Sequence, residues 1–387
     1  MKVFACSVCG HALFFENVQC NGCGRRLAYL PDRAVVSPIE PVDAPAGGPA
    51  GDPLAGVFTA LAPSASGERY VVRKNAIDHG ACNWAVPVSD DTPFCRACRL
   101  NEIIPNLSSD HAVEAWLRVE RAKRRLVYTL LELGLNVESR RERPSGGLGF
   151  AFKEDVGGAR VMTGHDEGLI TLNLAEADTP FREKLREQMG EAYRTLLGHF
   201  RHEIGHYYWD RLIRGSSYVE AFRAEFGDES ASYDEALKRH YENGAPPDWP
   251  ERFVSAYASM HPWEDWAESW AHYLHMVDTL GTARSYGLAL QPDAGGGTSR
   301  TSLSELKVTT RNLHFDDFDD LLKGWVPLTV ALNSLNRSMG HADVYPFVLS
   351  ATAIRKLRFA HDVIENAARD GSRLASRPED DHRPSPQ

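Results

Sequence analysis

Residues Leu196 to Trp209 read LLGHFRHEIGHYYW, and the rest of the chain is interpreted around them. Tyr193, Leu196, Leu197, Phe200, Ile204, Tyr208 and Leu212 recur at steps of three and four, and Gly215 stands where a helix stop is expected. The pattern predicts a helix. On it His202, Glu203 and His206 form an HExxH spacing. Residues four apart share a helix face, so two imidazoles can converge on one cation while Glu203 lies beside the position left open. This is the outline of zincin chemistry: the ion polarises a carbonyl and acidifies a water, and the carboxylate accepts the proton. The chain has 15 histidines, so the bland alternative is two satisfied histidines in a core helix. The helical context favours the metal.

A catalytic zinc needs a third protein ligand and one open position. In the metzincin pattern a glycine and a third histidine follow shortly, and YYWDRLIRGSSY after His206 has neither at that spacing. In the glutamate-zincin pattern the ligand comes from a later helix. Glu264, Glu268 and His272 lie four residues apart in EDWAESWAH, interleaved with Trp266 and Trp270 and preceded by Trp263. The tryptophans predict that much of this helix is buried, and buried carboxylates need partners. One glutamate would bind the ion while the next orients a ligating histidine, and spacing alone leaves Glu264 and Glu268 both open as ligand. His199 is read as structural, because a fourth protein ligand would close the site. His272, His275 and His361 are read as packing or surface histidines.

At the N-terminus Cys6-x-x-Cys9 and Cys20-x-x-Cys23 flank a ten-residue loop, and each pair is followed by glycine, Gly10 and Gly24. Four thiolates at this spacing predict a zinc ribbon whose metal supplies much of its folding free energy. A rubredoxin-like iron site would use the same ligands; a redox CxxC pair would be expected beside a βαβ pattern that is absent. Further on, His79, Cys82, Cys95 and Cys98 are a candidate second structural site of the Cys3His kind. The alternative there is three buried thiols with an exposed His79.

The composition is that of a soluble globular protein, and the formal charge of -10 argues against generic binding to nucleic acid or to an anionic membrane surface. No stretch approaches the roughly 20 apolar residues of a membrane span. MKVFACSVCG lacks the apolar core of a signal peptide, and seven cysteines, most in CxxC pairs, suit a reducing compartment, so a cytoplasmic location is expected. The expected organisation is a ribbon at 1–37, a linker at 38–67 containing PVDAPAGGPAGDP, a second cysteine-rich segment at 68–107, a zincin-like domain at 108–366 and a disordered tail at 367–387. Within the domain a helix is predicted from Ser109 to Leu133, with Arg118, Arg121, Lys123, Arg124 and Arg125 on a solvated face. Gly146 to Lys153 and Leu169 to Leu174 are predicted strands, the latter placed to pair with extended substrate. Helices are also predicted from Thr179-Pro180 onward, at 218–226, 232–241, 318–335 and 347–364. The fold class is α+β, helix-dominated, with small zinc-ribbon modules ahead of a zincin-like metallopeptidase domain.

The stretch Tyr257-x6-Glu264-x3-Glu268, continuing as EDWAESWAHY from Glu264, resembles the C-terminal protease domain of anthrax lethal factor and the proline-specific clostridial endopeptidases. That resemblance implies Glu264 as zinc ligand, Glu268 as the carboxylate behind it, and Tyr257 as the donor to the oxyanion. More broadly, the CxxC/CxxC ribbon, the CNW and CRAC-R segment and the GHFRHEIGHYYWD helix resemble a bacterial family of zinc-ribbon zinc metallopeptidases. A cysteine expected by that likeness near Lys74 is absent. The reading is a peptidase with one catalytic and one ribbon zinc, and a second structural zinc as a further candidate, acting on protein or peptide. The ribbon would contact substrate or a protein partner. The competing reading is a protein- or nucleic-acid-binding module with a vestigial or structural HExxH site.

Overall fold

The computed structural model describes residues 2–42, 56–155, 159–189, 194–292 and 306–375. Strands β1 (Phe4–Ala5) and β2 (Ala12–Leu13) form a hairpin around the first cysteine pair. Gly10 and Gly24 have φ of +74° and +72°, and their amides return to the carbonyl oxygens of Cys6 and Cys20, each at 2.8 Å. The same knuckle is thus built twice, at a backbone conformation that glycine adopts without steric cost.

An antiparallel sheet follows: β3 (Leu27–Leu30), β4 (Val35–Pro41), β5 (Val57–Ala60), β6 (Arg69–Val72) and β7 (Ala85–Pro87). A bridge between Tyr29 and Trp84 brings its two ends together. The expected linker at 38–67 is therefore corrected at both ends, because β4 and β5 are strands and pair with each other. The boundary after residue 67 also falls inside the β5–β6 hairpin. Ala60, Ala62 and Ala65 are buried. Alanines buried at the end of β5 and in the turn after it give this segment the composition of a linker, which is why the sequence misled. The centre of the Pro/Ala/Gly-rich run, 43–55, lies outside the described residues.

Between β6 and β7 runs α1 (Lys74–His79), and β8 (Asn101–Ile103) leads into α2 (Asp110–Glu132). Ser109 caps α2 by accepting from the Ala112 amide at 3.2 Å, as expected of a serine at that position. The predicted solvated basic face is only partly so: Lys123 and Arg124 are buried. Strands β9 (Gly149–Lys153), β10 (Gly164–Asp166) and β11 (Leu169–Asn173) join β8 in a second sheet, ordered β10-β11-β9-β8. The predicted strand over Leu169 to Leu174 exists, but it is interior, antiparallel to β10 and parallel to β9. Its edge is already paired, so β10 is the edge nearest the motif.

The helices α3 (Thr179–Met189), α4 (Leu196–Leu212), α5 (Val219–Phe226), α6 (Tyr233–Asn243), α7 (Trp249–Arg252) and α8 (Pro262–Ser285) come next. After the pair β12 (Ala289–Leu290) and β13 (Val308–Thr309), α9 (Phe318–Ser338) and α10 (Ala351–Ala375) complete the described chain. The expected disordered tail is corrected at its start. Leu357, Ala360, Val363 and Ile364 bury one face of α10, and Ala367 continues that packing, so the helix carries on past the predicted boundary. Residues 376–387 lie outside the described residues.

One hydrophobic core spans the two modules. Phe15 from the cysteine module lies 4.9 Å, centroid to centroid, from both Tyr29 and Tyr128, and Tyr29 lies 5.0 Å from Trp84. Tyr128 belongs to α2, so the N-terminal module is packed onto the helical domain. Helix α2 in turn contacts α4, which carries the motif. The architecture is α+β, with a cysteine-bearing module preceding a helix-rich domain.

Candidate metal centre

Helix α4 begins at Thr195, whose Oγ1 accepts from the Gly198 amide at 2.9 Å, and runs through the motif. It crosses α8 with Gly205 against Ala267, and Trp266 Nε1 donates to the Gly205 carbonyl at 2.8 Å. Helix α8 starts at Pro262, with the His261 ring accepting from the Trp263 amide. Glu264 falls in its first turn, where a helix N-terminus favours an anion.

This crossing brings His202, His206 and Glu264 together, with one donor atom from each within 4.8 Å of the others. His202 Nε2 lies 2.9 Å from Glu264 Oε2, and His206 Nε2 lies 3.5 Å from the same oxygen. His202 Nδ1 meets Glu268 Oε1 at 2.7 Å, and Ser255 Oγ donates to Glu268 Oε2 at 2.5 Å. The Tyr233 hydroxyl donates to Glu264 Oε1 at 2.8 Å. The His206 ring is held by packing instead, with Trp263 tilted over it at 3.8 Å.

These groups fit a cation. Glu264 Oε2 is buried and without a hydrogen bond despite both approaches, and the buried His206 Nδ1 also has no partner. With Nδ1–H of His202 given to Glu268, the Nε2 lone pair faces a carboxylate oxygen. A proton could bridge that one pair; only a cation serves all three convergent donors. Without an ion, burial lowers the His202 pKa but the Glu264 and Glu268 carboxylates outweigh it and raise it well above the usual histidine range. Glu268, whose own burial works the other way, is held down to about 2 by His202, His272 and Ser255.

Glu203 is buried and contacts His199 Nε2 at 3.2 Å, and His199 Nδ1 meets Glu176 Oε2 at 2.8 Å. Thr163 and Arg194 hold the same Glu176 carboxylate. His199, read from sequence as structural, therefore braces the motif glutamate. The signal was present, since His199 and Glu203 are four apart on one helix. Tyr257 stands on a short 3-10 turn with its ring 5.9 Å from that of His202, and its phenol interacts electrostatically with that of Tyr233 and with Glu264. Burial and the nearby Glu264 keep both phenols protonated. Tyr233, Ser255 and Glu176 were not singled out from the sequence, because nothing local marks a side chain that meets its partner only through tertiary packing.

The centre opens into a cleft of about 680 Å³, lined by His202, Glu203 and Tyr257 and, further out, by Phe181, Trp249 and Phe347. His272 and His275 also line it. His272 bonds Tyr345 and His275 bonds Arg201, while His361 packs inside against Tyr273.

Of the other expected sites, Cys6, Cys9, Cys20 and Cys23 converge, with Cys6 and Cys23 sulfurs 3.8 Å apart and those of Cys9 and Cys20 3.6 Å apart. Cys82, Cys95 and Cys98 also converge, and all three are buried. His79 does not join them and is corrected as a ligand. It ends α1, exposed, with its ring edge-on to Trp116 at 5.4 Å. Residues 74–79 are helical, so the spacing of three before Cys82 is not a knuckle.

The sequence model of a family described as "Putative zinc-binding metallo-peptidase" matches residues 112–363, and that of a zinc-ribbon domain matches residues 3–109. The chain is 41% identical over 371 residues to uncharacterized proteins of Mycobacterium tuberculosis (strain H37Rv) and Mycobacterium bovis, covering 96% of this chain and 97% of each relative. No solved structure matches. No helix among the described residues is long and apolar enough to cross a membrane.

Proposed function

The chain belongs to the zinc-binding metallo-peptidase family, with a zinc-ribbon domain ahead of the peptidase domain, and on that premise we propose that it is an active zinc-dependent peptidase of the glutamate-zincin type. The observation that carries the proposal is the convergence of His202 Nε2, His206 Nε2 and the unpartnered Glu264 Oε2, beside a cleft that His202 and Glu203 line. Zinc held there would polarise a substrate carbonyl and bring the pKa of a water towards neutrality.

Glu203 lines the cleft beside the ligands and is the general base, later returning its proton to the leaving amine. His199, backed by Glu176, fixes the orientation of that carboxylate. Glu268 holds His202 by its Nδ1, so that Nε2 keeps its lone pair for the metal. Tyr257 carries a hydroxyl that stays protonated and donates to the oxyanion as it forms. Tyr233 donates to Glu264 and holds that ligand in place beside Tyr257.

The substrate class is protein or peptide, which the volume of the cleft and its apolar lining residues Phe181, Trp249 and Phe347 accommodate. The second sheet offers β10 as the edge on which an extended chain would add. One zinc belongs to this centre and one to Cys6, Cys9, Cys20 and Cys23. The ribbon exposes Val8, Phe14 and Val18, a surface suited to a protein partner. Seven free thiols fit a cytoplasmic setting. To test the activity, a proteome-derived peptide library is incubated with the protein as purified, after chelation and after zinc is restored. Cleavage that disappears and returns supports the proposal; no cleavage in any arm favours a vestigial site.

A further inference from the structure

Around the mouth of the cleft the chain leaves large apolar side chains in water. Met162 is 74% exposed, Tyr241 67% and Val348 84%, and all three line the same cleft. They come from three separate parts of the chain: the approach to β10, the last turn of α6 and the connection from α9 to α10. Single exposed apolar residues are ordinary on a protein surface, but several converging on one opening mark a binding surface. Further in, Phe181, Trp249 and Phe347 continue the apolar lining.

The charged groups in the same walls are largely occupied with one another. Arg194 and His199 both meet Glu176, His199 also meets Glu203, and Glu268 meets His202. Arg160, exposed at the rim, stands outside these pairs. A side chain entering the cleft therefore meets mainly apolar surface. The backbone of a bound chain has a place as well. Met162 and Thr163 lead directly into β10, the outermost strand of its sheet among the described residues, and the ring of His165 on β10 lies 6.3 Å from that of His206. Adding a strand to such an edge needs a partner whose own amides and carbonyls are unpaired. A folded protein seldom offers that backbone together with bulky apolar side chains, because folding pairs the one and buries the other.

We propose that the substrate of this cleft is an extended segment of unfolded polypeptide rich in bulky apolar residues, captured at the rim by Met162, Tyr241 and Val348 and laid along β10 towards the metal centre. The inference rests on reading the cleft as the peptidase site, and it names the state and composition of the chain that the site takes. The three rim residues decide which chains bind and take no part in the reaction at the metal.

Binding to the full-length Glu203→Gln protein, read by fluorescence anisotropy, tests this without requiring cleavage. Two labelled peptides of equal length and charge are compared, one with spaced Leu and Phe in a Gly/Ser host and one with Ser at those positions. The apolar peptide should bind roughly tenfold tighter or more, since burying one bulky apolar side chain suffices for that. Lactalbumin should compete for the site when reduced and carboxymethylated, but not in its native form. Met162→Ser, Tyr241→Ser and Val348→Ser combined should weaken binding of the apolar peptide several-fold. The positions are exposed, and unchanged zinc content and unfolding temperature show that the fold is intact. Equal binding of the two peptides, equal competition by native lactalbumin, or undiminished affinity in the rim variant would overturn the inference. Its failure and that of the peptidase reading are separable. Cleavage of a peptide library by the wild type with no preference for apolar segments would overturn the inference and leave the peptidase standing. Tight apolar binding with no cleavage by the wild type would keep the unfolded apolar chain as the ligand of the cleft and remove the peptidase.

Discussion

Gly205 lies so close to Ala267 that a β-carbon added to Gly205 would come within 2.9 Å of the Ala267 Cα. The contact sits between the two ligating turns, one residue before His206 and three after Glu264. It sets how near α8 can bring its carboxylate to the imidazoles of α4. Gly205→Ala must push the helices apart, and overpacking of this kind costs about 1–3 kcal/mol. The expected result is a lower unfolding temperature together with reduced zinc content. A variant that loses stability while holding zinc at wild-type affinity would separate the crossing from the site.

Glu268 binds no ion in this account but fixes the His202 ring, and Ser255 fixes Glu268 in turn. Removing such outer partners typically weakens metal binding about 10–100-fold. Glu268→Gln should therefore release zinc to a competing chelator more readily, with a smaller change for Ser255→Ala. If Glu264→Gln were tolerated better than Glu268→Gln, the roles of the two glutamates would be reversed.

Glu176 gives the acid dependence. Burial alone would raise its pKa, but His199, Arg194 and the Thr163 hydroxyl outweigh it and hold the carboxyl down to about 2. A carboxylate depressed in the folded state stabilises it fully above its unfolded value, and that contribution is lost as pH falls towards the folded value. The difference in unfolding temperature between wild type and Glu176→Gln should be largest near pH 6 and shrink steadily below about pH 4.5. A difference that stays constant over that window would show that the carboxylate charge is not what stabilises.

The N-terminal module should not behave as a detachable recognition unit. Phe15 is 2% exposed and packs against Tyr29 and, across the module boundary, Tyr128. Phe15→Ala should cost about 3–5 kcal/mol and lower a single denaturation transition shared by ribbon and peptidase domain. Two separate transitions, with only the first one moved, would contradict the shared core.

What the sequence made legible was local and periodic. HExxH on a three-four apolar pattern, the two CxxC-Gly knuckles and the Ser109 cap all follow from spacing within one element, and α4, the knuckles and α2 appear where spacing put them. Glu264 and Glu268 could be named as a pair, because four-residue steps put both on one helix face. Deciding that Glu264 faces both imidazoles while Glu268 reaches the far side of one ring depends on the crossing at Gly205, which no local pattern encodes. His79 failed for the converse reason: its spacing matched, but α1 carries it away from the sulfurs. Lys123 and Arg124 looked like solvated charges because burial of a cation becomes intelligible only once its partners, here Glu120 for Lys123 and the Ala81 carbonyl for Arg124, are in place.

The central claim is that a metal centre and Glu203 act together in hydrolysis, and the Glu203→Gln protein tests it most directly. Its zinc content and its digest of a proteome-derived peptide library are measured beside the wild type. The account predicts wild-type zinc at His202, His206 and Glu264 with cleavage lost. Zinc retained and cleavage undiminished in the variant would contradict it.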